Sequence, residues 1–469
     1  VAKGPGGIIS GGFQPLKAPD APTIDSVSAG VLSADVTFSA PADTGAGSVD
    51  SYVVTAKQSD GSGVSGTASA AGTVSLTLTA GGTTTFAAQA ISNAFGPGQF
   101  SGFGNSSTVF TGQELYSWGR NNLGQLAQND IVDRSSPVQI GALTNWNTID
   151  AGYYGFISTK TDGTLWTWGS QNGGQLGHND YIAKSSPVQV GGLTNWSSAS
   201  MGISFSAGIE DSELYTWGNP QFGALGNNTA AGLISSPVQI GALTNWSVVS
   251  SGRNHSAAIK NDGTLWAWGY NGRGQLGVEA LGNNNTSSPV QVGAETNWYK
   301  VSTSQHNTAA IKTNGTLWVW GRDTDGTCGQ NSVATGRSSP VQIGSDTDWA
   351  EISTGSEFCF AIKTDGTLWS WGQNSFNTGQ LGQSDFVNRS SPTQVGALTN
   401  WNKVSGAVIH ALATKTDGTL WSWGSGSFGK LGQNDIISRS SPIQVGSLTS
   451  WVLPSAGGEF LSFSTIGTT

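Results

Sequence analysis

The chain has 469 residues, 68 of them glycine, and only 10% are charged; 29 acidic side chains against 20 basic ones leave a formal charge of −9. That balance, with no basic cluster anywhere, excludes a nucleic-acid binder, which needs several Lys or Arg aimed at phosphates. Abundant Gly, Ser and Thr without helix-favouring runs predict an all-β chain with many turns, and no apolar run reaches the roughly 20 residues a membrane helix needs.

Residues 1–17 are rich in Gly and Pro and lack periodicity, so they are expected to form a flexible arm that another chain can hold. They contain no apolar run long enough for the central region of a signal peptide. Over residues 18–113, period-two alternation at 34–38, 51–56, 74–78 and 86–90, broken by Gly, Pro, Asp and Ser clusters, predicts a small β-sandwich. The APDAPTI opening, Pro41, SYVV at 51–54 and the AISNAFGPG ending resemble a fibronectin type III module. Phe38 and Thr84 stand where that family has a tryptophan and a corner tyrosine. The resemblance implies a spacer or docking unit and carries over no site residues.

From residue 114 to 469 one phrase organises the chain. TDGTLWTWG ends at Gly169; NDGTLWAWG, TNGTLWVWG and two copies of TDGTLWSWG end at Gly269, Gly321, Gly372 and Gly424. Looser copies, ELYSWG and ELYTWG, end at Gly119 and Gly218. An SSP follows each, closing at Pro137, Pro187, Pro237, Pro289, Pro340, Pro392 and Pro442. A further Trp then comes at 146, 196, 246, 298, 349, 401 and 451. Three markers in constant phase at a period of about 50 residues mean stacked β units, a propeller or solenoid.

In the unit around residues 246–293, strands are predicted at 248–251, 255–260, 265–269 and 288–293. Asp262-Gly263 reads as a two-residue hairpin turn, whose positive φ those residues tolerate. The array opens inside a unit at 115–119 and closes at 451–464, which supply the first and second strands missing at the start. The tail must therefore pair with the first copy, giving a seven-bladed β-propeller of four-stranded blades with no open sheet edge.

The full phrase, as in GRNHSAAIKNDGTLWAWGYNGRGQLG at 252–277, resembles the regulator of chromosome condensation repeat over all seven units. The resemblance implies the propeller but not one job. Members serve in guanine-nucleotide exchange on a small nuclear GTPase, β-lactamase inhibition, ultraviolet sensing through tryptophans and scaffolding, so fold does not give function. The family's GxxH histidine is kept as His255 and His410, whereas Gly155, Phe205, Asn307, Phe358 and Phe460 hold the equivalent positions. A residue replaced by Gly or Phe within one ring reads as packing. The GQLG turn is kept at 174–177, 274–277 and 379–382 and is weakest at 326–329.

Nineteen tryptophans raise light sensing or sugar stacking, but all fall at three repeated positions, with Tyr116 and Tyr215 filling the two remaining slots. Blade packing accounts for them. His178, His255, His306 and His410 lie too far apart in the repeat to converge as zinc ligands. Asp323 and Asp325 in RDTDG resemble half a calcium loop, but Ala334 stands where such a loop needs Glu, so an Asx turn is expected. The Asn-Asp pairs at 129–130, 179–180 and 434–435 read as turn formers. Cys328 and Cys359 are expected to be free, buried thiols. No nucleophile–base pair, paired carboxylates or phosphate-cradling loop stands out, so the chain is read as no enzyme, with no cofactor and no metal.

Variation concentrates in the stretch after each WG and in the two residues before each second strand. Tyr153, Tyr154, Phe222, Tyr270, Arg273, Arg322, Phe376 and Phe428 depart from the repeat there and form the candidate partner-binding rim. The resulting expectation is a non-enzymatic structural and binding protein, a bacteriophage virion component or other extracellular surface protein. Its arm and sandwich would hold other virion or surface proteins, and its propeller would meet a host surface protein or glycan. A soluble inhibitor or scaffold using the rim is the alternative, and guanine-nucleotide exchange a third. Neither nucleic acid nor membrane insertion enters any of these readings.

Overall fold

The computed structural model describes residues 18–30, 33–44, 48–58, 63–78, 82–92, 96–100, 105–109, 112–229, 231–374, 378–458 and 461–468. The arm at 1–17, and Phe376 and Phe460 among the positions singled out above, lie outside them. The chain divides into two compact units, residues 1–112 with 468–469, and residues 113–467. Among the described residues the helical segments are three 3-10 turns, Gln221–Gly223, Glu279–Leu281 and Ser427–Gly429, and no helix is long and apolar enough to cross a membrane.

Among its described residues the first unit has eight strands, twice the number read from its alternation: β1 (Thr23–Gly30), β2 (Ser33–Ser39), β3 (Ser51–Lys57), β4 (Gly63–Ala68), β5 (Gly72–Thr77), β6 (Gly82–Ser92), β7 (Gly96–Phe100) and β8 (Asn105–Val109). They form two sheets, β1-β2-β5 and β4-β3-β6-β7, with β8 also pairing β6. Alternate residues of β2, β3 and β5 point inward, so Val36, Phe38, Tyr52, Val54 and Leu76 share one core with Phe86 and Ala88 of β6. The Phe38 and Tyr52 rings meet at 5.0 Å.

Seven four-stranded antiparallel sheets build the second unit. Six are continuous in sequence, residues 146–189, 196–239, 246–291, 298–342, 349–394 and 401–444, here blades 1 to 6. The seventh is composite, in the order Arg134–Gln139, Gly112–Gly119, Leu461–Thr468, Trp451–Gly457, so the last two strands complete a sheet that the array's first two begin. The ring closes as the phase of the repeat requires. Gln113 belongs to this unit rather than to the sandwich, since its N–H bonds Thr144 O at 2.6 Å and its side chain is buried. Strand ends also shift from the sequence reading. First strands begin at the marker Trp, as in Trp246–Ser251, and fourth strands end earlier, as in Thr286–Gln291, before Gly293 turns at φ 66°.

The phrase TDGTLW is one hydrogen-bonded unit. Asp162 Oδ1 accepts from the Thr164 N–H at 3.0 Å and hydroxyl at 2.6 Å, and that hydroxyl accepts from the Trp166 indole at 2.8 Å. The same bonds recur at Asp262, Asp365 and Asp417, with Asn314 standing in once. The turn is not the two-residue type. Lys160 N bonds Thr164 O across three residues, and only Gly163 takes positive φ, 75°. Blade 2 alone has the two-residue form, Glu210 opposite Glu213, with Asp211 and Ser212 at φ 48° and 64°. A Cβ on Gly163 would stand 1.7 Å from Thr194 O, so this glycine also lets the next blade's linker approach.

The WG tryptophans join neighbouring blades. Trp268 donates to Ala224 O at 2.9 Å, Trp320 to Gln275 O at 2.9 Å and Trp371 to Thr327 O at 2.8 Å, each acceptor lying in the GQLG-type turn of the preceding blade. Trp118, Trp217 and Trp423 do the same, and Trp168 is the exception, its indole nitrogen unbonded. The marker Trp packs edge-on against both third-strand aromatics, as Trp146 does on Trp166 and Trp168 at 6.1 and 5.9 Å. Lys160 covers this group from 3.6 Å above Trp166, a cation–π cap repeated by Lys260, Lys312 and Lys415.

Candidate functional site

Strand direction decides which loops share a face. In each blade the turn from first to second strand and the loop from third to fourth leave the same end of the antiparallel sheet, while the DG turn and the linker to the next blade leave the other. Both variable sets therefore lie on one face. In the six continuous blades each loop is tied to its own turn by a backbone bond, among them Ser170 N to Tyr154 O at 2.8 Å, Tyr270 N to Asn254 O at 2.9 Å and Arg322 N to His306 O at 3.1 Å.

At the axis the first strands of all seven blades line a cavity of about 140 Å³. One side chain per blade bonds the next blade's backbone there. Asp150 Oδ2 accepts from Met201 N, and the hydroxyl oxygens of Ser200, Ser250, Ser302, Ser353, Ser405 and Ser455 accept from Ser251, Thr303, Thr354, Gly406, Ala456 and Ala151 N, all at 2.8–3.0 Å. Burial pushes the Asp150 carboxyl up, against the Met201 N–H, Ser200 hydroxyl and Ala151 N–H that favour its charge. Elsewhere on the first strands Glu351 lies between Lys300 and Lys403, at 2.8 and 2.6 Å. Burial opposes its ionisation, but the two ammonium groups bring it down to about 2. These groups hold the ring together, and the sequence reading did not single them out.

The loop face carries the candidate rim. Tyr153 and Tyr154 sit in the blade 1 turn with ring centroids 6.3 Å apart. Phe222 of blade 2 is 37% exposed, takes φ 61° and meets Tyr270 of blade 3 at 5.1 Å. Arg273, three residues on, is exposed. Phe428 in blade 6 is 39% exposed, with Arg120 of the closing blade 4.8 Å over its ring. Arg322 is engaged, paired with Glu357 and, at 3.8 Å, with Asp325. Burial raises Glu357 to about 7 although Arg322 opposes the shift. The described candidates thus divide into a blade 1 pair, a blade 2–3 group, the ion-paired Arg322 of blade 4 and Phe428 of blade 6 rather than one patch.

Other residues weighed in the sequence have structural partners. Asp323 does not form the solvated Asx turn expected: it is fully buried, accepting from Cys328 N, five residues on, at 2.9 Å and from Arg337 Nε at 2.8 Å. Its place is that of Asn121 and Asn271, whose side-chain oxygens accept from Leu126 N and Leu276 N. His255 Nε2 lies 3.0 Å from Thr308 Oγ1, and burial holds the imidazole down to about 3. His410 Nε2 lies 2.9 Å from Ser462 Oγ, again on the next blade. Cys328 and Cys359 are free and buried. No group of three or more His, Cys, Asp or Glu able to hold a metal occurs among the described residues.

The sequence reading missed a feature of the outer edge. Ile131-Val132, Tyr181-Ile182, Phe386-Val387 and Ile436-Ile437 are 49–69% exposed, on four consecutive blades counted through the closing one. In each, the preceding Asp accepts from the second residue's N–H at 2.9–3.0 Å and from an Arg or Lys four positions on at 2.6–2.7 Å. The Asn-Asp pairs are turn formers, and they hold apolar doublets outward.

All residues that match known families lie in the ring. Residues 210–465 match the RCC1-like domain, and 113–155 and 162–209 match the regulator of chromosome condensation (RCC1) repeat. The chain belongs to this family. It is 29% identical over 173 residues to the RCC1 domain-containing protein RUG3, mitochondrial, of Arabidopsis thaliana, a match covering 35% of this chain and 38% of that one. It thus spans less than two fifths of the length of the curated relatives it matches. Among solved structures, human WBSCR16 superposes with a TM-score of 0.67 at 19% identity, over 76% of this chain and 99% of that one. Prp20p from Saccharomyces cerevisiae gives 0.67 at 17%, over 76% and 92%. These likenesses place the fold: an RCC1-like propeller.

Proposed function

We propose that this RCC1-like chain is a non-catalytic protein-binding scaffold whose loop face is its working surface. The observation that carries the reading is the meeting of both variable loop sets on one face, with aromatic and arginine side chains such as Tyr154, Phe222, Tyr270 and Arg273 among them. The solved structure of Prp20p is described with binding properties to Gsp1p and histones, which supports binding through such a ring. Pull-downs with the full chain from its native extract test it. A single partner recovered by the wild type and by Leu193→Ser/Leu243→Ser on the opposite face, but lost by Tyr153→Ala/Tyr154→Ala or Phe222→Ala/Tyr270→Ala, is expected. Equal recovery by all variants would overturn it. Guanine-nucleotide exchange is the other reading the family raises, and a small GTPase loaded with fluorescent GDP that shows no faster release would remove it.

Where the protein works is a separate proposal: an extracellular particle, in the first instance a phage virion. Low charge, the Gly/Pro-rich residues 1–17 and a β-sandwich ahead of the ring support it. The first segment would hold other virion proteins while the ring meets a host protein or glycan. Deleting residues 1–18 should abolish incorporation into particles, and unchanged incorporation sinks the idea.

A further inference from the structure

The ring, from an acidic chain, spends almost all its cations on itself. Among its described residues, carboxylates, tryptophan faces, the Phe428 ring or the Ser427 hydroxyl engage every Lys and Arg side chain but two. Those two, Arg253 and Arg273, belong to the same blade and the same face. Arg253 sits in the first turn of blade 3, and its N–H bonds Ser304 O of blade 4 at 3.0 Å. Arg273 sits in the third-to-fourth loop of blade 3, where its carbonyl oxygen lies against Gly336 of blade 4, 2.7 Å from where a Cβ would be. Both guanidinium groups, with Arg322, act on the His306 imidazole of blade 4, which burial and these charges push down to about 4. The histidine is therefore neutral at pH 7, and the seam's positive charge is that of the arginines. Beside it, Tyr270 folds back over Gly272 and packs on Phe222, forming an aromatic step.

We propose that the seam between blades 3 and 4 binds an acidic segment of a protein partner, its carboxylates on Arg253 and Arg273 and a neighbouring apolar side chain on the Tyr270–Phe222 step. The proposal rests on the protein-binding reading above and names the partner's chemistry. Unpaired arginines beside the exposed Phe222 and the half-buried Tyr270 match the composition of binding hot spots, and Arg takes a carboxylate bidentately. A nucleic acid would need a run of phosphate contacts, which two arginines on a chain of charge −9 do not supply.

The test is selection of a random twelve-residue peptide library on the full chain, followed by fluorescence anisotropy with the enriched peptide, its Glu→Gln and Asp→Asn counterpart, and a single-stranded DNA of equal charge. Enriched peptides should pair Asp or Glu with an aromatic or aliphatic residue. Arg253→Ala/Arg273→Ala should weaken binding at least tenfold and flatten its salt dependence. Arg389→Ala/Arg439→Ala, which removes the same charge from the outer edge, should leave it within twofold. Neutral peptides that bind and are lost by Tyr153→Ala/Tyr154→Ala would overturn the acidic partner while leaving the scaffold reading standing. Tighter binding of the DNA, or equal loss in both arginine variants, would also overturn it, and a library that yields nothing overturns both readings.

Discussion

On one face of the ring, DG turns and linkers repeat almost unchanged; on the other, loops of the same blades differ in every copy. The strands joining the two faces are common to both, so the contrast comes from what each face touches. On the DG side, Gly163 faces Thr194 O and Trp196 N bonds Gly163 O, so each turn is fixed by the next blade's linker. On the loop side the GQLG-type turn answers to the WG indole of the next blade, while the variable residues cross the seams mostly by backbone groups, as Arg253 N does to Ser304 O and Asn179 N to Ser235 O. Sameness follows contacts that admit one residue, such as Gly163 against Thr194 O, and freedom to vary follows contacts made by backbone groups, which a change of side chain leaves in place.

The largest test of this comparison removes what joins all copies. Deleting residues 461–469 leaves Gly112–Gly119 without its inner neighbour and should abolish the cooperative unfolding transition of the ring, read by tryptophan fluorescence in urea. Next, Trp268→Ala removes a fully buried side chain and its bond to Ala224 O, and should cost about 3–5 kcal/mol, against less than about 1 kcal/mol for Phe222→Ala on the loop face. Within the DG face, Gly163→Ala and Gly141→Ala both place Ala at positive φ, 75° and 57°, but only the first meets an atom. The strain shared by both is about 1–2 kcal/mol, so the thermal midpoint of Gly163→Ala should be the lower, and equal midpoints would show that the linker contact yields freely.

The smallest effect concerns pH on the loop face. Glu357, raised from 4.5 to about 7, holds its proton more tightly folded than unfolded. Between those values the folded chain binds more protons, so this group's contribution is full below about pH 4.5 and is lost as pH rises towards 7. Glu357→Gln should flatten the fall in urea midpoint across that window, and an unchanged slope would assign the fall to other groups.

Much of the ring was legible because its signal is periodic. Asp162, Thr164 and Trp166 lie within five residues, and their spacing already contains the bonds they form. The hydroxyl ring at the axis was not legible: Ser200, Ser250 and Ser302 sit in a Ser- and Thr-rich chain, and only the closed ring brings one from each blade into line. The turn type was misread because DG suits both a two-residue turn and the wider one, and only the pairing of Lys160 with Thr164 separates them. The exposure of Ile436-Ile437 was not legible either, because Asp435 and Arg439 hold the doublet outward only in the folded loop. In the sandwich, β4, β7 and β8 carry too many small or polar residues for alternation to show. Arg253 and Arg273 are separated in sequence by a whole hairpin, and what distinguishes them, the lack of a partner, is a property of the fold alone.

Completing the seventh blade from both ends of the array also sets a timetable. During synthesis Gly112–Gly119 leaves the ribosome long before Leu461–Thr468. At roughly 5–20 residues per second the wait is on the order of half a minute. Throughout it, one edge of a nearly finished ring offers unpaired N–H and C=O groups to any passing strand. A nascent ring thus stays open to wrong pairing until its last strand emerges, and slowing elongation over any of the six blades between would lengthen that exposure.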